Sequence, residues 1–300
     1  MTNNLTPQPR PTCTITRTNN VSSPNPFAPQ CAWNLRPNSD FIMRLKDKVI
    51  IVTGSTNGIG RGIAERCVAE GARVLIHGIE REEGEALVKQ LGSAAALHID
   101  DLLDPAAPQR IVDAALKAFG KIDGLVNNAA IVPRHTLETI TLEKYERTMT
   151  INLRAPLFLI QAAFPHLKAS QGSVLNIGSI NALSGEATFI DYSTSKGGLQ
   201  TLTRNLANAH GTDLVRFTLF NVGWVLTPRE QAAQVAQGLP EDWADHVPPL
   251  YAPSGKLIMP EAIGAAAVFW LGDESKPITG SVIELEQFSV YARNPVKTND

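Results

Sequence analysis

The feature that most constrains this chain is a transition. The apolar run at 49–52 empties into Thr53-Gly54-Ser55-Thr56-Asn57-Gly58-Ile59-Gly60, and Ile63, Ala64, Cys67 and Val68 then recur at helical spacing until Gly71. A strand that turns through glycines straight into a helix, with a second β-rich run at 74–77 close behind, reads as a βαβ crossover. Its two strands must be parallel, because a connection of that length carries the chain back across the sheet before the next strand begins. The alternation continues, with strand candidates at 95–99, 124–126, 173–177, 216–221 and 278–285. Helical spacing falls over 112–119, 145–153, 157–167 and 195–209. The expected fold is α/β: a doubly wound parallel sheet of about seven strands with helices on both faces, in a single domain over residues 43–300. At about 150 residues per domain, 300 residues do not force a second core.

Residues 1–42 differ in kind. They hold seven prolines and no acidic residue before Asp40, a composition that cannot bury enough apolar surface to offset the entropy of ordering. They are expected to be a disordered leader, or sequence ahead of a true start at Met43. Lys and Arg number 27 against 29 Asp and Glu, so no basic excess draws the chain to nucleic acid or an anionic membrane. No apolar run approaches the roughly 20 residues that cross a bilayer. Cys13 and Cys31 lie in the leader and Cys67 in a helical pattern, neither a disulfide framework nor a metal knuckle, which fits a reducing cytoplasm. Six histidines, at 77, 98, 135, 166, 210 and 246, lack ligand spacing, so no metal is expected. Ser179 lacks the nucleophile elbow of a hydrolase.

The glycine turn suits a pyrophosphate. Residues without a β-carbon let main-chain N–H groups of Gly54, Ser55, Asn57, Gly58, Ile59 and Gly60 face the oxygens, and a helix N-terminus adds positive potential. The spacing is Gly-x3-Gly-x-Gly rather than GxGxxG, and a tight strand-to-helix turn with no ligand is the competing reading. A second group of residues carries chemistry. Tyr192 and Lys196 stand four apart, on one helical face a turn apart, and Ser179 closes a strand thirteen residues before Tyr192. Taking a proton from an alcohol near neutral pH requires a phenol of pKa about 10 to fall to about 7, roughly 4 kcal/mol of preference for the phenolate. A neighbouring ammonium supplies charge of the right sign.

With TGSTNGIG at 53–60, Asn127-Asn128-Ala129-Ala130 after the fourth strand, Asn152 in mid-helix, and Ser179, Tyr192 and Lys196 in order, the chain resembles the short-chain dehydrogenase/reductase family, classical type. The resemblance implies a Rossmann-type fold and a nicotinamide-dependent oxidoreductase acting on a secondary alcohol or carbonyl. It implies Tyr192 as acid/base, Lys196 as its cationic partner and grip on the ribose, Ser179 as orienter of the reacting oxygen, and Asn152 as holder of a water on the proton path. It places Asp101 and Leu102 at the adenine, Asn128, Ala129 and Ala130 along the cofactor, and Gly223, Val225 and Thr227 at the nicotinamide.

The family's acid at the end of strand two is replaced by Gly78, and Ile79 stands where NADP enzymes often carry Arg. Asn57 replaces a basic residue common in NADP-dependent members, so the cofactor is NAD or NADP with a lean to NAD. Val222 stands for the usual proline and Ala130 for a glycine. Substrate contacts are expected from 131–136, 180–190 and a partly polar, mobile lid at 224–259, a mixture suited to a sugar, polyol or hydroxy acid. The family implies a homodimer or homotetramer built on the helices around Leu157 and Ser195 and on the last strand. The competing function is a non-catalytic dinucleotide sensor of the same fold, which would need only the nucleotide-binding half.

Overall fold

The computed structural model describes residues 43–290; the leader at 1–42 lies outside them. Seven strands, β1 (Val49–Val52), β2 (Arg73–Gly78), β3 (Ala95–Ile99), β4 (Gly124–Asn127), β5 (Ser173–Ser179), β6 (Arg216–Val222) and β7 (Ser281–Leu285), form one sheet in the order β3-β2-β1-β4-β5-β6-β7. Every pairing is parallel. β1, β4 and β5 are buried along their whole length, as strands covered on both faces must be.

Successive side chains divide between two cores. Ile50, Val52, Val74 and Ile76 pack with Ile63, Ala64 and Cys67 of α1 (Gly58–Ala69), Leu87 of α2 (Arg81–Leu91) and Ile263, Ala267 and Val268 of α9 (Pro260–Leu271). Ile51, Leu75, Leu125 and Val174 pack on the other face with Ile111 and Val112 of α3 (Ala107–Phe119) and Leu159, Ile160 and Ala163 of α5 (Ala155–Ser170). This is the doubly wound arrangement the alternation predicts.

Between α4 (Leu142–Met149) and α5 the chain makes a π-helical turn, Thr150–Arg154, which carries Asn152, so the helices expected at 145–153 and 157–167 run into one another through a bulge. The short α6 (Asn181–Ser184) precedes α7 (Ile190–Ala209), which begins early enough to hold both Tyr192 and Lys196. The helical spacing read above misses, among others, α2, which starts at Arg81 just beyond strand two, and α9, which follows the expected lid.

The segment at 224–259 has an apolar cluster of its own. It contains α8 (Pro228–Ala236) and closes on its own apolar cluster of Trp243, Val247, Ala252 and Leu257, with Trp224 stacked on Trp243 at 5.4 Å between ring centres. No helix among the described residues is long and apolar enough to cross a membrane.

Candidate active site

The strand order reverses between β1 and β4, so the connections leaving their carboxyl ends diverge and open a crevice there. A cleft of about 350 Å³ occupies that position. The turn after β1 forms its floor. Gly54 has φ +60°, and a β-carbon on it would lie 2.8 Å from Ala129 Cα, so both its conformation and its neighbour require glycine. Thr53 Oγ1 accepts from the Asn128 and Ala129 N–H groups at 3.0 and 3.1 Å, while Asn128 Nδ2 donates to the Thr53 and Gly54 carbonyls at 2.9 Å each. The turn is thereby fastened to the chain leaving β4.

α1 has no acidic residue in its first turn, and Asn57 at its N-cap makes no side-chain capping bond. The first-turn N–H groups and their positive end are left facing the cleft, the arrangement an anionic pyrophosphate needs. A dinucleotide therefore fits the residues present. Gly54, Asn57, Gly58, Ile59, Gly78, Ile79, Asp101, Leu102, Asn128, Ala129, Ala130, Ser179, Tyr192, Lys196, Gly223 and Thr227 all line this one cleft.

The remaining expected residues stand one layer behind. Ser55 is fully buried, its hydroxyl donating to the Val52 carbonyl at 2.6 Å and accepting from His77 N–H at 3.0 Å, so it stitches β1 to β2. Gly60 lies where a β-carbon would overlap the Gly54 carbonyl, which lets helix and turn pack closely. The Val225 side chain is in the core, leaving only its main chain for a ligand. Asn152 is 1% exposed and its amide is occupied: Oδ1 accepts from Ile131 N–H at 2.9 Å, and Nδ2 donates to the Ile131 carbonyl at 2.9 Å and to Ser195 Oγ at 3.1 Å. These bonds tie the π-helical turn, the chain after β4 and α7 together. Thr227 caps α8, its oxygen accepting from Glu230 N–H at 3.1 Å, which leaves the hydroxyl proton free to be donated.

Ser179, the last residue of β5, meets Tyr192 and Lys196 from α7 at one end of the cleft, all three less than a tenth exposed. Lys196 Nζ donates to the Ile177 carbonyl at 2.8 Å and lies 5.8 Å from the centre of the Tyr192 ring. Burial pushes the Lys196 ammonium down to about 8. The phenol departs from expectation: burial pushes it up, the Ser179 hydroxyl works the other way, and the charge on Glu230 adds to the rise. Desolvation of the buried ring is the largest influence, and the Lys196 ammonium is directed at a carbonyl. Just before Tyr192, the buried Asp191 carboxylate accepts from Thr148 Oγ1 at 2.6 Å and pairs with His135 Nδ1 at 3.0 Å, which fastens the chain after β4 to the start of α7.

Thr56, His77, Glu80, Asp100, Arg147 and Arg229 complete the wall, none of them among the site residues expected from the sequence. Glu80 matters most. A β-carbon on Gly78 would lie 3.1 Å from Glu80 Oε2, and that oxygen accepts from Thr56 Oγ1 at 2.8 Å and from Ile79 N–H at 3.3 Å. A carboxylate thus stands almost where the family's acid at position 78 would hold one. Glycine two residues ahead of an acid at a strand end was the available signal.

Residues 48–237 match the family described as short chain dehydrogenase. An L-rhamnose 1-dehydrogenase (NAD(P)(+)) of Azotobacter vinelandii is 33% identical over 251 residues, which is 80% of this chain and 95% of that protein. A meso-2,3-butanediol dehydrogenase of Serratia marcescens is 30% identical over 247 residues, 81% of this chain and 95% of its own. A 3-alpha-(or 20-beta)-hydroxysteroid dehydrogenase of Mycobacterium tuberculosis is 32% identical over 239 residues, 79% and 87%. A sugar, a diol and a steroid share little beyond a secondary alcohol, so these relatives agree on the reaction and not on the molecule. The chain belongs to the short-chain dehydrogenase family and is an NAD(P)-dependent oxidoreductase that moves a hydride between the nicotinamide and an alcohol or carbonyl.

Proposed function

We propose that the enzyme oxidises or reduces a small polyhydroxylated substrate, a sugar, polyol or hydroxy acid, with NAD preferred over NADP. The carrying observation for the chemistry is the meeting of Ser179, Tyr192 and Lys196 at one end of the cleft. The Tyr192 hydroxyl exchanges the proton of the substrate alcohol, and the Ser179 hydroxyl donates to the same oxygen and fixes its distance from the phenol. The nicotinamide, when bound, accepts or returns the hydride and in its oxidised form brings a positive charge. In the protein alone burial keeps Tyr192 protonated, so it is poised as an acid for carbonyl reduction. Lys196 holds a cation beside the ring and, through the Ile177 carbonyl, against the end of β5. Asn152 acts by holding Ile131 and Ser195, hence the cleft wall and α7, in register.

The preference for NAD rests on Glu80, whose carboxylate bonds ribose hydroxyls well and repels a 2′-phosphate. The substrate class rests on polar groups near the reacting end: Arg229 on the cleft wall and Glu230, close enough for its charge to act on Tyr192. The names of the rhamnose and butanediol relatives favour the same class. Residues 43–300 are read as the catalytic domain with 224–259 as its substrate cover, in a cytoplasmic homodimer or homotetramer. Leu157 and Phe158, 38% and 44% exposed on α5, support an interface there.

A panel of sugars, polyols, hydroxy acids and simple ketones, assayed with both cofactors by absorbance of the reduced form, tests this reading. Turnover of a polyhydroxylated compound with NAD is expected, and Glu80→Ala should raise the NADP to NAD ratio of kcat/KM at least about tenfold. Activity confined to bulky apolar alcohols, or an unmoved ratio, would remove the respective part.

A further inference from the structure

Tyr192 is the third residue of α7, in a first turn whose N–H groups have no partners within the helix, and Phe189 at the N-cap makes no side-chain capping bond. An acid/base must be held to within about 0.5 Å, yet helix ends are where helices fray. A clamp from the chain after β4 stands in for the missing cap. His135 N–H donates to the Thr188 carbonyl at 2.7 Å, and the His135 carbonyl accepts from Ile190 N–H at 3.4 Å. The Arg134 guanidinium lies over the Phe189 ring at 4.7 Å, and that ring meets the Tyr192 ring edge-on at 5.5 Å between centres. At the middle of the clamp is Asp191, 1% exposed, whose Oδ2 takes both Thr148 Oγ1 of α4 at 2.6 Å and His135 Nδ1 at 3.0 Å. Burial pushes this carboxyl up, but the Thr148 hydroxyl and His135 outweigh burial and hold it below the usual carboxylate range. An ionised carboxylate only accepts, so Nδ1 carries the proton. Oδ1 is buried with no partner among the described residues, a loss of stability that an apolar contact would avoid.

We infer that Asp191, His135 and Thr148 are positioning residues for the reaction: they fix the start of α7, and so the place of the Tyr192 hydroxyl, without touching substrate or cofactor. None of the three lines the cleft. The same clamp joins the two segments expected to contact substrate, 131–136 and 180–190, so one cluster sets both the acid/base and the wall opposite it. This rests on Tyr192 as the acid/base.

Calorimetric binding of NAD, turnover of the fastest compound in the panel above, and crystal structures with NAD separate positioning from a merely structural role. Asp191→Ala and His135→Ala should lower kcat at least about thirtyfold, the scale of a displacement of about 1 Å at the reacting group, with KM and the Kd for NAD within about threefold. Asp191→Asn, which keeps an acceptor, and His135→Asn, which puts an amide N–H where Nδ1 stands, should recover kcat to within about fivefold of the parent. Thr148→Val removes one hydroxyl at constant shape and should lower kcat at least about fivefold; it carries the test if the alanine variants fail to melt cooperatively. In the crystals, the Tyr192 hydroxyl should move away from Ser179 Oγ in the disrupting variants and return in the asparagine ones. A kcat within about twofold of the parent in all three disrupting variants, with Tyr192→Phe inactive, overturns the inference and leaves the acid/base in place. So does a loss that the asparagine variants share, or one matched by weaker binding of NAD. If no compound turns over, an unmoved Tyr192 hydroxyl overturns it. Full turnover by Tyr192→Phe would instead remove the acid/base reading, and this inference with it.

Discussion

Replacing Lys196 with methionine should stabilise the protein while disabling it. The ammonium is 3% exposed, and lowering its pKa from 10.5 to about 8 corresponds to about 3 kcal/mol of lost preference for the charged form, with no solvent screening to discount. Against this stands the bond to the Ile177 carbonyl at 2.8 Å, worth about 1 to 2 kcal/mol and lost on substitution. Methionine keeps the unbranched stem, so packing changes little. A net gain of about 1 to 2 kcal/mol at pH 7 follows, or about 3–6 °C in melting temperature for a domain of this size. The sign with pH is fixed. Below pH 8 both folded and unfolded chains carry the proton and the cost is present in full. Between about 8 and 10.5 the unfolded chain binds more protons, so the unaltered protein gains stability as pH rises. Melting curves by circular dichroism at pH 7 and pH 9.5, without cofactor, should show the variant ahead at pH 7 and the gap shrinking at 9.5. A variant that melts below the parent at pH 7, or a gap indifferent to pH, would show that the buried ammonium is not a burden carried for function.

Three further outcomes are expected. Tyr192→Phe should lower kcat at least about a thousandfold while the Kd for dinucleotide stays within about threefold, measured by steady-state kinetics and calorimetry. Gly54→Ala, which combines φ +60° with a β-carbon 2.8 Å from Ala129 Cα, should weaken dinucleotide binding at least about tenfold and lower the melting temperature; unchanged binding would mean the turn does not cradle the cofactor. Removing residues 1–42 should leave melting temperature and kcat/KM unchanged, and a large loss of either would make the leader part of the folded enzyme.

What could be read from the chain beforehand was whatever local pattern alone decides. The strands were legible because a parallel strand buried on both faces is a short unbroken apolar run, and the glycine turn because its spacing reports backbone geometry directly. α9 escaped because it is apolar nearly all round, packed against both α1 and the sheet, and so shows no polar face to set a period. α2 escaped for the opposite reason: only Gly84 and Leu87 of its eleven residues are buried, too few to mark a stripe. The core within 224–259 joins residues such as Trp224 and Trp243 whose contact depends on the fold of the intervening helix.

The site divides in the same way. Tyr192 and Lys196 were legible because one helical turn brings them together, whereas Glu80 reaches the place of a missing acid only by folding back over Gly78 towards Thr56. Asn152 marks the boundary between the two cases. Its position was plain from the motif, but the groups its amide meets were not: its two N–H donors go to the Ile131 carbonyl and Ser195 Oγ, and its oxygen accepts from Ile131 N–H. Sequence locates such a residue; only the surrounding backbone decides whether its amide meets a ligand or holds two segments together.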